Sequence, residues 1–372
     1  MNKAIIACAG AGKTYTICQS ALKSKLPSLI VTYTNAGKNN IEDQICKLNS
    51  GVPCNRITVM TWFHFILHEI IQPYQSDFLK NEGSISPVPL NYFQGIDFST
   101  THTINFNKAN TLKYFLAGNH KLRHNETIIL ANLLFNISKS KILHRLNQQF
   151  SSIYFDEFQD FVGTDIDFIE GLVTSPITIT MVGDPKQFTY STHVENKNVQ
   201  FTGKNISVFF NKLLHEGKIR IEYKQVSRRF GKNIEKLAND VDPSGELLTG
   251  LEQKISGKIN GILLLNKQNF DLYNEKYGPQ LLIMDKRSLK KIPNQHSNTI
   301  NFGESKGLTF DNVLIIPNGP LEKFLLKGKP LASPAKYYIA VTRAKYSVAF
   351  LVDNPTKYKE QHPDWIIWDP ND

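Results

Sequence analysis

A glycine-rich segment near the N-terminus has the residue types and spacing of a phosphate-binding turn. It follows a short apolar run, precedes a helical pattern, and reads Ala9, Gly10, Ala11, Gly12, Lys13 and Thr14. Backbone N–H groups in such a strand-to-helix turn attract phosphate oxygens, as does the N-terminus of the helix. Lys13 can reach the β- and γ-phosphates, and the Thr14 hydroxyl can bind Mg²⁺. The pattern predicts a nucleoside triphosphate site, with an ordinary glycine-rich turn as the alternative.

Two adjacent carboxylates form the second group of residues suited to chemistry. Asp156 and Glu157 follow directly after the apolar run Ile153–Phe155. Asp156, at the tip of the predicted strand, can hold the Mg²⁺ that Thr14 also contacts, while Glu157 can orient and deprotonate an attacking water. An acidic surface turn is the alternative for this pair. Together with the glycine-rich turn, the pair favours NTP hydrolysis.

The elements that must position these residues alternate between short apolar runs and longer helical patterns. This alternation indicates an α/β fold, with parallel sheets and crossover helices. In the first half the predicted strands are Ala4–Cys8, Ser28–Tyr33, Ile57–Met60, Ile153–Asp156 and Ile177–Gly183, and the predicted helices are Lys13–Lys25, Gly37–Leu48 and Trp62–Ile71. In the second half the predicted strands are Ile219–Tyr223, Ile262–Leu265, Leu281–Met284, Thr299–Phe302, Val313–Ile316 and Ser347–Asp353.

The alternation of apolar runs and helical patterns predicts two α/β domains and one insertion. Between Pro73 and about Phe150 the strand–helix alternation fails, and we interpret this stretch as a small, locally basic inserted subdomain. The expected division is 1–72 and 151–214 for the first domain, 73–150 for the insertion and 215–372 for the second domain.

Composition limits the classes of protein that fit. The chain has 372 residues and a formal net charge of +10, which favours a polyanionic partner. With 41% hydrophobic and 11% aromatic residues it is not a disordered chain. Its four cysteines form no CxxC pair, which argues against a disulfide framework or zinc site and predicts a reducing, cytoplasmic compartment. No run approaches the roughly 18 apolar residues of a membrane-spanning helix.

Eight short segments match, in order, the motifs of the UvrD/Rep-like helicases of superfamily 1. They are Ala9–Thr14, Thr32–Asn35, Thr61–Phe65, Asp156–Gln159, Val182–Gln187, Arg228–Phe230, Ser305–Asp311 and Ala340–Lys345. The resemblance implies two RecA-like P-loop NTPase domains, called 1A and 2A in that family. The insertion stands in the place of the family's subdomain 1B.

The resemblance also implies roles for individual residues. Gln187 resembles the glutamine that senses the γ-phosphate, and Arg229 and Arg343 resemble the two arginines that stabilise the transferring phosphoryl group. Arg228 competes with Arg229 for its role. Lys306 resembles a nucleotide-binding lysine, and the implied cofactors are ATP or another NTP with Mg²⁺.

A nucleic-acid surface is expected at strand-to-helix junctions on one edge of the first sheet. The implied contacts are Tyr33, Thr34, Asn35, Trp62 and His64. Aromatic rings at such junctions can stack on single-stranded bases. Core packing is the alternative for the aromatic residues.

Departures from the family pattern reduce the expected unwinding activity and nucleotide selectivity. The interval from Arg229 to Ser305 is too short for the family's 2B subdomain, and the aromatic-Arg pair that follows motif III is missing. Arg228 stands where a base-stacking tyrosine is usual. The eight residues ahead of Ala9 leave no room for the family's adenine-reading glutamine segment.

Two functions from different classes fit these features. The favoured one is a DNA-dependent NTPase that senses single-stranded DNA or DNA ends and regulates a partner nuclease. The stretch Trp62–Gln75 resembles the UvrD-like subunit of the Gabija antiphage system, whose partner is an OLD-family nuclease with ATPase and Toprim domains. The alternative is a stand-alone 3′-to-5′ single-stranded DNA translocase or helicase in repair or replication. A scaffold that keeps only the fold is the third possibility.

Overall fold

The computed structural model describes residues 1–81, 91–99, 112–189, 193, 195–251, 259–293 and 298–371. The chain divides into two compact units. The first comprises Met1–Ile6, Lys13–Pro185 and Tyr190–Tyr223, and the second comprises Ala7–Gly12, Lys186–Thr189 and Lys224–Asp372.

The elements up to residue 224 include the strands and helices predicted there, together with further helices and three short strands that were not predicted. They are β1 (Lys3–Ala7), α1 (Lys13–Lys23), β2 (Ser28–Thr32), α2 (Asn35–Leu48), β3 (Ile57–Thr61), α3 (Trp62–Phe65), α4 (Gln72–Asn81), β4 (Gly95–Asp97), α5 (Leu112–Phe115), β5 (Leu116–Gly118), β6 (Lys121–Arg123), α6 (His124–Gln149), β7 (Ser152–Phe155), α7 (Thr164–Val173), β8 (Thr178–Gly183), α8 (Ile206–His215) and β9 (Arg220–Lys224). A π-helix, Ile66–Ile71, lies between α3 and α4.

The remaining elements form the second half of the α/β pattern. They are β10 (Val226–Ser227), α9 (Lys232–Val241), β11 (Thr249–Gly250), β12 (Gly261–Leu265), α10 (Phe270–Tyr277), β13 (Gln280–Ile283), β14 (Thr299–Asn301), β15 (Phe310–Ile316), α11 (Gly319–Lys327), α12 (Pro334–Val341), β16 (Ala344–Leu351), α13 (Pro355–Gln361) and β17 (Ile366–Ile367).

Two six-stranded sheets organise the molecule. The first has the order β3-β2-β7-β8-β1-β9, and β1, β2, β3, β7 and β8 pair in parallel. The second has the order β14-β13-β15-β16-β12-β17, again with parallel pairing. The predicted α/β fold with parallel sheets is therefore confirmed.

One predicted strand belongs to a different sheet from the one expected. The run at 219–223 was expected to open the second domain, but β9 forms the edge of the first sheet beside β1. The backbone N–H of Arg220 donates to the carbonyl of Asn2, at the start of the chain. An apolar run shows that a strand forms, whereas its sheet is decided by the partner that its backbone hydrogen bonds find.

The described part of the insertion shares the core of the first sheet. Phe78, Phe93, Phe115 and Leu122 are buried in the same apolar cluster as strand residues such as Val31. A small three-stranded sheet of order β4-β6-β5 carries this part of the chain.

The predicted helix Trp62–Ile71 changes geometry part of the way along. The N–H of Gln72 donates to the carbonyl of Leu67, five residues earlier, in the π-helix. Pro73 follows immediately, and a proline ring crowds the carbonyl four residues before it. The wider π turn accommodates Pro73 without ending the helix.

The second sheet has its own apolar core. Leu263, Leu281 and Leu314 pack with Phe270 of α10 and Trp368 near the C-terminus. Within the described ranges, no helix is long and apolar enough to cross a bilayer.

Candidate active site

In the first unit, three neighbouring strand ends bring the predicted phosphate-site residues together. The order β7-β8-β1 places Asp156 after β7 and Asp184 after β8, while α1 begins at Lys13. The Thr14 hydroxyl donates to Asp156 Oδ2 over 3.1 Å, and Lys13 Nζ lies 3.9 Å from Asp184 Oδ2. Lys13, Thr14 and Asp156 thus meet as the motif spacing predicts. Asp184 is an additional acidic neighbour of the lysine.

Asp156 is buried beside a second carboxyl group. Burial raises the pKa of Asp156 to about 7, and the charge of Glu157 adds to the rise against the opposing effect of Lys13. The nearby positive charge therefore does not balance the two carboxylates. A divalent cation would supply the missing charge, and a hydroxyl and a carboxylate oxygen are hard ligands of the kind Mg²⁺ prefers.

This donor set fits a metal held mainly by its substrate. No group of three or more His, Cys, Asp or Glu residues in the described ranges forms a metal-binding cluster. Magnesium in nucleotide sites typically takes one or two protein ligands, with phosphates and water completing the shell. Thr14 and Asp156 match that requirement.

Gln159 positions Glu157, a role that motif spacing alone did not reveal. Glu157 has a left-handed backbone conformation with φ of 51°, and its N–H donates to Asp156 Oδ1. Gln159 is fully buried, and its Nε2 donates to Glu157 Oε2 over 2.6 Å. Its Oε1 accepts from the Asp184 N–H over 2.9 Å. The Asp156-Glu157-x-Gln159 spacing was the available signal, but the partners are visible only in the fold.

In the second unit, the glycine-rich loop packs closely on the segment that carries the first predicted arginine. Gly10 has φ of +76°, and a Cβ there would lie 2.7 Å from Arg229 Cβ. The Arg228 N–H donates to the Gly10 carbonyl over 2.9 Å. Glycine is required at position 10 because both the backbone conformation and the close approach exclude a side chain.

The two competing arginines have different surroundings. Arg228 is exposed, whereas Arg229 is half-buried and donates from Nη1 to the Thr342 carbonyl over 2.7 Å. This backbone contact ties Arg229 to the segment that holds Arg343. The contrast favours Arg229 over Arg228 for the role that the resemblance implies.

Arg343 and Gln187 lie together in the second unit. Arg343 is 1% exposed, and its guanidinium donates to the carbonyls of Ile339 and Leu308, each over 3.1 Å. Its Nη2 lies 3.5 Å from Gln187 Oε1. A buried guanidinium held by backbone carbonyls has a fixed direction. The role of Arg343 toward a phosphoryl group stays a prediction.

The remaining predicted nucleotide contacts lie in short loops. The Ala9 N–H donates to the Tyr338 hydroxyl over 3.3 Å, and the Ala11 N–H donates to the Cys8 carbonyl. Lys306 is half-buried in the turn after β14, where its N–H donates to the Gly303 carbonyl. The nucleotide assignment of Lys306 stays a prediction.

The predicted nucleic-acid residues lie at the ends of two adjacent strands in the first unit. β2 and β3 pair in parallel, with Thr32 opposite Thr61. Thr34 and Asn35 are exposed at the start of α2, where the Thr34 hydroxyl accepts from the Gly37 N–H. Tyr33 is half-buried, and His64 is exposed after β3. These four side chains share one edge of the sheet.

His64 packs against a second histidine one turn later. The rings of His64 and His68 lie 4.2 Å apart. Partial burial lowers the pKa of His64, and the neighbouring His68 and Lys38 lower it further. A neutral imidazole is therefore favoured near neutral pH, which suits stacking or hydrogen bonding better than charge pairing.

Trp62 is a core residue, and the expectation that it contacts nucleic acid is wrong. It is 0% exposed, and its Nε1 donates to Asp165 Oδ1 over 2.9 Å. Four phenylalanine rings surround it at centroid distances of 5.0 to 6.1 Å, those of Phe65, Phe155, Phe161 and Phe168. A buried tryptophan that makes a hydrogen bond cannot stack on a base without unfolding this core.

A buried histidine network adjoins Trp62 and was not predicted. His193 Nε2 lies 2.9 Å from Glu195 Oε2, and its Nδ1 lies 3.6 Å from Asp165 Oδ2. Burial lowers the pKa of His193, but Asp165 and Glu195, helped by Glu126, outweigh burial and raise it. The imidazolium thus neutralises carboxylates at the N-terminal end of α7.

Comparisons with known proteins bear on part of this site. Residues 107–194 match the family model of the UvrD/REP helicase N-terminal domain, which covers less than half of the chain. No curated protein matches the sequence. The PRRSV helicase is 14% identical with a TM-score of 0.47, covering 95% of this chain and 52% of that chain.

An arterivirus nonstructural protein 10 (helicase) in complex with DNA is 10% identical with a TM-score of 0.47, covering 97% of this chain and 63% of that chain. The chain thus spans only 52% and 63% of the lengths of these two helicases. The segment that contains Asp156, Glu157 and Gln187 is similar to the UvrD/REP helicase N-terminal domain, as the motif order predicted.

Proposed function

We propose that this protein is a nucleic-acid-stimulated NTPase of the UvrD-like kind. The observation that carries the proposal is the meeting of Lys13, Thr14, Asp156 and Glu157 at adjacent strand ends. A lysine for phosphate charge, two oxygen ligands for Mg²⁺ and a second carboxylate are the groups that phosphoryl transfer to water requires.

Each residue has a distinct role in this proposal. Lys13 and the backbone N–H groups of the loop would bind the phosphates, and Thr14 and Asp156 would hold Mg²⁺, which would offset negative charge on the phosphates. Glu157 orients the attacking water and accepts its proton, and Gln159 keeps the Glu157 carboxylate in place. Gln187, Arg229 and Arg343 act on the γ-phosphate, as the family resemblance implies.

The nucleic-acid part of the proposal rests on the edge formed by Tyr33, Thr34, Asn35 and His64, and on the net charge of +10. Polar and aromatic groups at strand ends, on a positively charged protein, suit a single strand better than a neutral ligand. The UvrD/REP match over residues 107–194 supports the same class of partner.

Phosphate release tests the hydrolytic function. With Mg²⁺ and ATP, we expect single-stranded DNA to raise the rate and Glu157→Gln to lower kcat by about 10²-fold or more, with KM less affected. Glu216→Gln, an acid-to-amide change at an exposed position, is the matched control and is expected to keep the parent's rate. If Glu157→Gln and the parent hydrolyse ATP at equal rates, Glu157 does not activate the attacking water.

We further propose that the NTPase senses single-stranded DNA or DNA ends for a partner nuclease of the OLD family, as in Gabija-type antiphage defence. The support is the sequence of the stretch 62–75, in which α3, the π-helix and α4 are continuous. Within this stretch Glu69 forms a 2.5 Å ion pair with Arg145 of α6. The absent 2B-sized insertion favours sensing over strand separation.

Two assays separate this role from a stand-alone translocase or helicase. We expect the native chain to co-purify with a nuclease encoded nearby and Lys13→Ala to change the rate at which that complex cuts DNA. We also expect the isolated chain to displace few strands from a tailed duplex. Efficient unwinding of several tens of base pairs by the chain alone would favour the helicase alternative.

A further inference from the structure

An exposed aromatic ring in the inserted segment is not explained by the core or by the predicted site. Phe98 directly follows β4 and is 59% exposed. Its ring packs edge-on against buried Phe63, with centroids 5.4 Å apart and an interplanar angle of 90°. It also lies 5.0 Å from the His124 ring. The ring is therefore supported on one side and accessible on the rest of its surface.

Phe98 extends a set of rings that begins at the predicted nucleic-acid edge. Phe63 contacts the His124 ring at 4.6 Å and the Tyr33 ring at 6.2 Å. Tyr33 follows β2 and Phe63 follows β3, so these rings start where Asn35 and His64 are exposed. We call Tyr33, Phe63, His124 and Phe98 the aromatic track.

The strand beside β4 carries two cations. β4 and β6 pair in parallel, with Gly95 opposite Lys121 and Asp97 opposite Arg123. Lys121 is exposed and Arg123 is half-buried. An accessible aromatic ring next to a strand that carries basic residues suits a nucleic-acid strand, because bases stack on such rings and basic residues attract phosphates.

We propose that Phe98 is a base-stacking residue through which the inserted segment binds single-stranded nucleic acid. The inference rests on the nucleic-acid part of the proposed function and adds a residue outside the motifs that predicted it. A stacked base would bury the exposed ring, and His124 and Phe63 beneath it would hold the ring in place without further ordering. Lys121, exposed on the adjacent strand β6, would add electrostatic attraction for the phosphates.

Oligonucleotides with and without bases provide the test. Fluorescence anisotropy would measure Kd for labelled oligo-dT and for an abasic oligomer of the same length and charge. Because Phe98→Ala removes one stacking partner, we expect this variant to bind oligo-dT about 5- to 150-fold more weakly than the parent. The Kd for the abasic oligomer should stay at the parent value, and Phe98→Trp should retain tight binding of oligo-dT.

Val208→Ala is the matched control, because Val208 is an apolar residue of α8 that is 50% exposed outside the aromatic track. It is expected to bind both oligomers as the parent does. Unchanged binding of oligo-dT by Phe98→Ala would overturn the inference. Equal weakening for both oligomers would also overturn it, since stacking requires bases. A parent that binds neither oligomer would instead refute the nucleic-acid part of the proposed function.

Discussion

At the scale of single residues, the burial of Asp156 opposes the ionised form that the proposed Mg²⁺ site requires. A carboxyl group that is 3% exposed and adjacent to Glu157 is costly to ionise. Its pKa of about 7 lies well above the ordinary aspartate value of about 3.9. The folded, metal-free protein therefore holds this proton more tightly than the unfolded chain does. The associated stability is fully present below about pH 4 and is lost as pH rises through about 7.

Replacing the ionisable group should remove this pH dependence. In EDTA, we expect the Tm of the parent to fall from pH 5 to pH 8, and Asp156→Asn to exceed the parent at pH 8 by roughly 2–8 °C. Adding Mg²⁺ should raise the parent's Tm at pH 8 and have little effect on Asp156→Asn. Differential scanning fluorimetry across this range makes the measurement.

The control for this effect is Asp240→Asn, at an exposed position on α9. It is expected to melt with the same pH dependence as the parent. If Asp156→Asn also follows the parent between pH 5 and pH 8, then Asp156 does not carry the buried charge.

At the scale of elements, the His193 network connects segments that are far apart in sequence. Asp165, at the start of α7, accepts from Trp62 Nε1 and lies beside His193, while Glu195 accepts from the Thr164 N–H and hydroxyl. Trp62 begins α3, which leads into the π-helix. The His193 imidazolium thus stabilises the N-terminal ends of α3 and α7 in the first unit.

Removing the imidazolium should leave buried carboxylates without a counter-charge. We expect His193→Gln to reduce the free energy of unfolding by about 3–5 kcal/mol at pH 6. The raised pKa means that the stabilisation is fully present below the unfolded value of about 6.5 and is lost as pH rises through the folded value. The difference in the free energy of unfolding between the parent and His193→Gln should therefore be smaller at pH 9 than at pH 6. Urea unfolding at both pH values measures it.

The groups that face His193 are Asp165, Glu195 and Glu126, with Arg123 close to Glu126. His215→Gln, at the exposed end of α8, is the control for replacing a histidine outside this network. It should change the free energy of unfolding little at either pH. If the free energies of unfolding of the parent and His193→Gln differ by the same amount at pH 6 and pH 9, then packing, not charge, accounts for the stabilisation.

At the scale of the whole molecule, the net charge of +10 leads us to expect that the proposed nucleic-acid binding weakens as salt rises. Each phosphate neutralised on a single strand contributes about −0.7 to the slope of log K against log salt concentration. If about four phosphates are neutralised, affinity should fall roughly 50-fold between 50 and 200 mM NaCl. Anisotropy titrations of oligo-dT at a series of salt concentrations give the slope.

A peptide nucleic acid of the same base sequence is the control for this titration, because it has no phosphates. Its affinity should change little with salt. A slope near zero for oligo-dT would mean that the positive charge of the protein lies away from the bound strand.

The sequence by itself determined the features that are encoded locally. Apolar runs followed by helical patterns identified nearly all strands of both sheets, because side-chain periodicity is a property of neighbouring residues. The spacing of Lys13 and Thr14 after β1, and of Asp156 and Glu157 after β7, predicted the proposed phosphate-site residues in the same way. Parallel strands end at one edge of a sheet, so the meeting of Thr14 with Asp156 followed from the fold class.

Only the tertiary structure decided which aromatic and polar residues are buried and what they contact. Trp62 had the position of a stacking residue, yet it bonds Asp165, 103 positions away, and lies among four phenylalanine rings. β9 joined the first sheet through a bond to Asn2, and Phe98 reached Phe63 through the small sheet of the insertion. These outcomes depend on contacts between segments distant along the chain, and burial is a property of such contacts. No pattern of neighbouring residues contains that information.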